Sequence, residues 1–309
     1  MSVEAFAPNP GDLAALAGAV SGSIPGWDGS GVVLNPAADG HGPRAGERVM
    51  FIGLEAQGWA QRRAVPHALT AVAADDMSSE RLATLPVAAT SALRATRRLG
   101  SVLGRRVLIV GAGGAVGRFA VQFAARSGAH VVAIARNATQ HGELRRLGAA
   151  ETHTALGSVT ARVHGAIDLV GGEHLVRAYA LLESGATAIA LGHSAESDEH
   201  FPYGAFVADT MTSNRSITSF FLGSEPDLAA DMSLIATDPT LDVGALDIRP
   251  WTALPAWFDE GAQRSTGRVV FRVAGAHDRF HDPLEFGRRA GQPTTPVAPT
   301  SARTSGSNS

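Results

Sequence analysis

The sequence contains no cysteine, so it can carry no disulfide framework, thiolate zinc site or cysteine nucleophile. It contains no lysine either: all 26 Lys+Arg positions are arginine. That removes Schiff-base lysines and any Tyr/Lys proton relay, and the plain source of such a bias is a GC-rich genome. Tyrosine is scarce, with only Tyr179 and Tyr203. There is no basic surplus, the formal net charge being −3, and nucleic acid is not an expected partner of such a chain. No apolar run approaches the roughly 20 residues needed to cross a bilayer, and no basic start leads into an apolar leader. The expectation is a cytoplasmic protein with a small-molecule partner and no membrane contact.

What is present suits a folded chain: 309 residues, 45% of them hydrophobic and 18% charged. Residues 1–95 are rich in Gly and Pro, with short apolar runs at Gly31–Leu34, Arg48–Ile52 and Ala71–Ala73 between turn-forming clusters. This predicts a mostly β module. From Arg105 onward apolar strands alternate with amphipathic helical stretches. A strand at Arg106–Val110 leads to a helix over Ala115–Ser127, then a strand at His130–Ala135 and a helix over Thr139–Leu147 ended by Gly148. Further strands are expected at Ala166–Val170, Ala186–Leu191 and Ser216–Leu222, with a helix over Glu173–Glu183. Together they make a doubly wound parallel sheet of about six strands, the arrangement that binds dinucleotides. Past Pro226 the alternation stops; a helix over Thr252–Gln263 and a strand at Gly267–Val273 return to the β module. The expected division is 1–95, 96–222 and 223–275, followed by a Gly-, Pro-, Ser- and Thr-loaded tail over 276–309 that is expected to be disordered.

Directly after the Arg106–Val110 strand lies Gly111-Ala-Gly-Gly-Ala-Val-Gly117. Gly111, Gly113, Gly114 and Gly117 let a backbone bend sharply and approach a pyrophosphate. Ala115 and Val116 open a helix whose N–H groups face the anion. A glycine cluster alone is weak evidence, but strand, glycine turn, amphipathic helix and second strand in sequence are the context the fingerprint demands. At the end of the second strand an NAD site places Asp or Glu, whereas this chain has Arg136 and Asn137. A guanidinium suits a 2′-phosphate and points to NADPH; the alternative is one more solvated arginine.

With those residues in view, the run from Val3 to Val273 resembles the zinc-independent quinone oxidoreductase branch of the medium-chain dehydrogenase/reductase superfamily. The likeness is carried by Asn9-Pro-Gly-Asp12, Pro25-Gly-Trp-Asp-Gly-Ser-Gly-Val-Val33, Gly46-Glu-Arg-Val49, Leu85-Pro-Val-Ala-Ala-Thr-Ser-Ala92, the glycine turn, Leu147-Gly-Ala149, Asp168-Leu-Val-Gly-Gly172 and Gly267-Arg-Val-Val270. The resemblance implies a GroES-like β-barrel completed by the C-terminal segment, beside a Rossmann domain, with the active site in the cleft between them. It also implies hydride transfer between NADPH and a quinone, an α,β-unsaturated carbonyl or, less often, another carbonyl compound; a homodimer is expected separately, through an uncovered sheet edge.

Zinc-dependent relatives supply Cys where Asn9 stands and His where Trp27 stands; neither replacement is a usual zinc ligand, and no catalytic metal is expected. By family position the cleft floor includes Asn9, Asp12, Thr90 and Ser91. Asn9 is a candidate donor to a substrate oxygen. Asp12 either holds loop and ribose geometry or only forms the turn after Pro10, and Thr90 either faces the cleft or caps the following helix. Val170, Gly171, Gly192, Phe221 and Leu222 are assigned to the cofactor, and Asp168 to a structural role beside it.

Two departures stand out. Relatives commonly place Tyr two residues after that Asp, where this chain has Ala14. That leaves Tyr203 as the tyrosine that could reach the cleft, against surface packing. Relatives also carry roughly 25 to 30 residues ahead of the segment matched by Val3, which form the first barrel strands. The barrel is therefore expected to be truncated, with a misplaced start or an exposed sheet edge. Histidines His41, His67, His141 and His193 do not cluster, and His277 and His281 are a pair without a third ligand. His193, after Gly192, is read either as a polar group near the nicotinamide or as a loop residue. The leading expectation is a zinc-free NADPH-dependent reductase of quinones or conjugated carbonyl compounds, with tailoring of secondary metabolites as a subcase. The competing one is an NADPH-binding sensor without turnover.

Overall fold

The structure is a computed structural model that describes residues 1–16, 18–53, 55, 57–224, 226–260 and 267–273. The expected tail over 276–309, with His277 and His281, lies outside the described residues.

The chain opens with strand β1 (Ser2–Phe6) and helix α1 (Pro10–Leu16), then β2 (Asp28–Val32), β3 (Arg48–Ile52), β4 (Thr70–Val72), α2 (Ser79–Leu82) and α3 (Pro86–Arg98). Strands β1 to β4 form an antiparallel meander. Their alternation is weak in the sequence because strand β2 is Asp-Gly-Ser-Gly-Val, buried along four of its five residues. Gly31 is required there: a Cβ would stand 2.0 Å from the Ser2 carbonyl oxygen.

The second sheet is built by β5 (Arg106–Val110), α4 (Ala115–Arg126), β6 (His130–Ile134), α5 (His141–Arg146), β7 (Ala149–His153), β8 (Val163–Asp168), α6 (Glu173–Leu181), β9 (Leu182–Ala190) and β10 (Ser216–Thr218). All its pairings are parallel and the strand order is β10-β9-β8-β5-β6-β7. Its central strands Val107–Val110, Val131–Ile134 and Ala166–Ile167 are fully or almost fully buried on both faces, as a parallel sheet covered by helices requires. The sheet is the doubly wound form, with its switch point between β5 and β8. Strand β7 and the 3-10 turn that replaces the first part of the Thr139–Leu147 helix lack an apolar period, and the sequence reading omitted both.

After β10 come α7 (Leu228–Ala236), β11 (Leu246–Pro250), α8 (Leu254–Asp259) and β12 (Arg268–Arg272). Strand β12 pairs with β1, so the first sheet reads β11-β12-β1-β2-β3-β4. The expected bare edge is not at β1. One side of β1 pairs with β2; the other is lined by β12 at Ala5 and Phe6, and by residues 61–63 at Met1 and Val3. The outer strands are β4 and β11.

One apolar core runs through both sheets. It joins Met50 and Ile52 of β3, Leu82 of α2, Ala88, Ala92 and Ala95 of α3, Val107 and Ile109 of β5, Ala120 and Ala124 of α4, and Met232 and Ile235 of α7. Helix α3 ties this together further: Arg94 and Arg97 pair with Asp231 of α7.

Candidate active site

Gly111 ends β5 with φ of +80°, a backbone that only glycine adopts without strain. Its N–H and that of Ala112 donate to the Ile134 carbonyl at 3.1 and 2.9 Å, which pins the turn to the end of β6. Helix α4 then rises directly over the turn. A Cβ on Gly117 would lie 2.3 Å from the Gly111 oxygen and 2.7 Å from the Ala112 Cα. Gly114 is the N-cap of α4 and no side chain caps that helix. Its first-turn N–H groups, opened by Ala115 and Val116, are left facing outward with the positive end of the helix dipole. The Gln140 side chain lies over Gly113, its Nε2 donating to the Gly113 carbonyl at 3.4 Å.

Arg136 is exposed just past the end of β6 and has no hydrogen-bond or ion-pair partner among the described residues. Asn137 is committed locally: its Oδ1 accepts from the Thr139 N–H at 3.0 Å and caps the 3-10 turn.

Across the switch point, Val170 Cγ2 would stand 3.1 Å from a Cβ on Gly111, so the turns after β5 and β8 abut. The β8 turn is built on Asp168, fully buried, whose Oδ2 accepts the Gly171 N–H at 2.8 Å. Burial raises its carboxyl above the ordinary range against the pull of those amides. Gly171 and Gly172 both have positive φ, +73° and +59°. The next strand, β9, delivers Leu191, Gly192 and His193 alongside. A Cβ on Gly192 would strike the Leu169 carbonyl oxygen at 2.6 Å, and one on Gly171 would strike the His193 ring at 2.7 Å. The carboxylate of Glu199 joins this corner, accepting the Gly172 N–H at 2.9 Å and meeting His193 Nε2 at 2.7 Å. Leu222 packs with Ala115, Val116, Leu169 and Leu191 against the main core. Phe221 is turned out to solvent.

The residues named as catalytic are not brought together as a substrate-facing set. Asn9 is buried and every polar atom of its side chain is used: Nδ2 donates to Asp12 Oδ2 at 3.2 Å and to Asp28 Oδ1 at 3.1 Å, while Oδ1 accepts from Arg268 Nη2 at 2.8 Å. It is a strut between two carboxylates and a guanidinium, with no donor left for a substrate oxygen. Asp12 also accepts the Asn9 and Trp27 N–H groups, at 2.7 and 3.0 Å, so it holds the loop entering α1 against the Trp27 segment. Thr90 is the fifth residue of α3, fully buried with Oγ1 unpartnered, and it caps nothing; Pro86 starts that helix behind Leu85. Tyr203 is fully exposed and far from burial of any kind.

Three members of these clusters are not singled out by sequence alone. Asp28 and Arg268 stand inside the longer motifs Pro25–Val33 and Gly267–Val270. Their signal was available: a carboxylate in an otherwise small, apolar strand, and an arginine opening Val-Val-Phe. Burial pushes Asp28 up to about 7, with the Asp12 charge adding to it, and burial pulls the Arg268 guanidinium down. Glu199 lies in a loop without periodicity, and nothing in the sequence singled it out.

Comparison with known proteins gives three results. Residues 115–237 match the family model described as zinc-binding dehydrogenase. A stretch of 133 residues is 38% identical to erythronolide synthase EryA2 of Saccharopolyspora erythraea, covering 42% of this chain and 4% of that much longer protein. Among solved structures, a quinone oxidoreductase of Pseudomonas syringae pv. Tomato DC3000 superposes with a TM-score of 0.75 at 19% identity, over 88% of this chain and 90% of that one. The yhdH oxidoreductase of Salmonella enterica in complex with NADP gives 0.74 at 21% identity over 88% and 90%. The CurK enoyl reductase gives 0.73 at 19% identity over 89% and 90%.

Proposed function

We propose that this chain is an oxidoreductase of the medium-chain dehydrogenase/reductase superfamily, a reading supported by the zinc-binding dehydrogenase model matched at residues 115–237 and by the two-sheet fold. It is an NADPH-dependent oxidoreductase that reduces a quinone or an α,β-unsaturated carbonyl compound without zinc. The observation that carries this reading is the crevice at the β5/β8 switch point, where the uncapped start of α4 meets the glycine turns after β8 and β9.

The residues fit such a cofactor. Gly111 turns the backbone and Gly117 lets α4 close down on that turn, so the uncapped α4 N–H groups after Gly113 and Gly114 are the place for a pyrophosphate. Free Arg136 lies on the β6 side, where the adenosine half belongs, and can take a 2′-phosphate. The β8 and β9 turns at Val170, Gly171 and Gly192 then border the nicotinamide half. When bound, NADPH supplies a hydride. The chain supplies orientation and a dry wall.

A zinc ion finds a poor donor set at the family position. The chain has no thiolate, Trp27 has no ligating atom, and the Asn9 amide is occupied on both sides. Charge building on a substrate oxygen must instead be met by hydrogen-bond donors or by a proton. The solved quinone and enoyl reductases of the same fold support the acceptor class, and the likeness to a stretch of erythronolide synthase supports a tailoring role in secondary metabolism.

Purified protein mixed with NADPH and a panel of quinones and enals should oxidise the nicotinamide with at least one acceptor, followed by its near-ultraviolet absorbance. Tight NADPH binding with no oxidation by any acceptor would identify a sensor instead. Arg136→Glu should weaken NADPH by about 10-fold to 100-fold while changing NADH little, the equivalent of one lost charge-assisted contact. Calorimetric titration with both coenzymes decides it, and equal losses for the two would remove Arg136 from 2′-phosphate recognition.

A further inference from the structure

The corner beyond β8 and β9 holds a side-chain pair that the coenzyme reading leaves idle. The His193 ring stacks on the bare Cα of Gly171, where any Cβ would collide with it at 2.7 Å. Its Nε2 is 2.7 Å from Glu199 Oε1, and the same oxygen accepts the Gly172 N–H at 2.9 Å. The carboxylate is therefore anchored to the backbone before it orients the ring. The Gly172 N–H and His193 hold the Glu199 carboxyl below its ordinary range, so it is charged at neutral pH. With Nε2 engaged, Nδ1 is the ring nitrogen left over for a proton transfer; it has no partner among the described residues. The side chain is 53% exposed, enough to exchange protons with solvent.

The other candidate acids of the chain named so far are poorer. Asp168 is fully buried and accepts backbone amides, Asn9 and Asp12 are locked in their own network, and Tyr203 points to solvent. His174 opens α6 near Asp168 and has no carboxylate at hydrogen-bond distance among the described residues. Glu199 is the charged group bonded to His193, and Asp168 at the end of β8 feels both Glu199 and His174 electrostatically.

We propose that His193, oriented by Glu199, is the acid that protonates the acceptor after hydride arrives at it. The inference rests on the NADPH-dependent reduction of an α,β-unsaturated carbonyl given above. The acceptor's β-carbon gains the hydride and its C=C electrons move onto the carbonyl as an enolate. The His193 Nδ1–H bond then breaks, its proton forms the new α-carbon C–H bond, and the ring is left neutral with its proton on Nε2 towards Glu199. Solvent reloads Nδ1. One NADPH and one proton are consumed per saturated carbonyl formed. A quinone needs no such help, because its reduced form takes protons on oxygen directly from water.

The acceptor-dependence makes the test. With trans-2-hexenal, His193→Gln should lower kcat about 100-fold, the low end for a lost general acid, with KM and calorimetric NADPH affinity within about 3-fold of the parent. Turnover of 1,4-benzoquinone should stay within the same about 3-fold window, and added imidazole should restore part of the hexenal rate. His174→Gln, the control, should leave both acceptors unaffected. Before any coenzyme is added, long-range 1H–15N NMR of histidine-labelled protein should show neutral His193 carrying its proton on Nε2, a preference lost in Glu199→Gln.

Equal losses with both acceptors, lost NADPH affinity, an unchanged hexenal kcat, or a proton on Nδ1 in the neutral ring would each overturn the proposal. If the parent protein oxidises NADPH with hexenal while His193→Gln does so equally well, the proton donor is wrong and the reductase stands. If the parent turns over no acceptor, both readings fall.

Discussion

Gly117→Ala is expected to abolish measurable NADPH binding and to destabilise the protein by about 1 to 3 kcal/mol, the cost of forcing one extra carbon into closed packing. The reason is local and steric. The added Cβ would sit 2.3 Å from the Gly111 oxygen and 2.7 Å from the Ala112 Cα, and both are backbone atoms that cannot swing aside. Helix α4 would have to lift off the turn, taking its first N–H groups away from the pyrophosphate position and loosening Ala120 and Ala124 from the core. Gly113→Ala makes the contrast. Its Cβ meets only the Gln140 side chain, a flexible group, so stability should fall less while binding still suffers. Chemical denaturation and calorimetry on the two variants separate the effects. Equal behaviour of Gly113→Ala and Gly117→Ala would contradict the packing argument.

Arg268→Met should be the most destabilising change in the first sheet, by about 3 to 5 kcal/mol, because it leaves two buried carboxylates without their cation. The guanidinium holds Asn9 Oδ1, and Asn9 in turn holds Asp12 and Asp28. The same cluster sets a pH dependence. Asp28 is pushed up to about 7 and Asp12 is raised too, in both cases mainly by burial. The folded chain therefore keeps protons that the unfolded chain releases. This contribution to stability is fully present below about pH 4, the unfolded carboxyl value. It is lost as pH rises towards and through about 7.

Removing Arg268 takes away the charge that favours the ionised forms, so the loss on raising pH should steepen. Urea denaturation at pH 5 and pH 8 should show a larger penalty for Arg268→Met at the higher pH. A penalty independent of pH would mean that the arginine acts through packing alone.

How far the sequence reaches can be judged residue by residue. Local periodicity and glycine placement determined the centre of the second sheet: β5, α4 and β6 follow from apolar runs and a single turn, because a parallel strand buried on both faces must be written in consecutive apolar residues. The glycines at 111 and 117 were legible for the same reason, since a backbone that bends at positive φ and is then crossed closely by a helix leaves no room for a side chain at either position. The last strand could be expected in the β module from its isolated Val-Val-Phe run, but its place beside β1 could not.

Only the tertiary structure decided what the polar residues do. Asn9 was expected to face a substrate and instead bridges Asp12, Asp28 and Arg268, groups separated by up to 259 residues in the chain. Tyr203 could be read as reaching the cleft or as surface packing, and it stands in solvent. Glu199 carried no sequence signal, yet it fixes His193 beside Gly171. Periodicity records which side of one element is buried, whereas a hydrogen bond between two loops depends on where distant elements bring them. That is why the glycine turn could be read from letters alone, and the His193–Glu199 pair beside Gly171 could not.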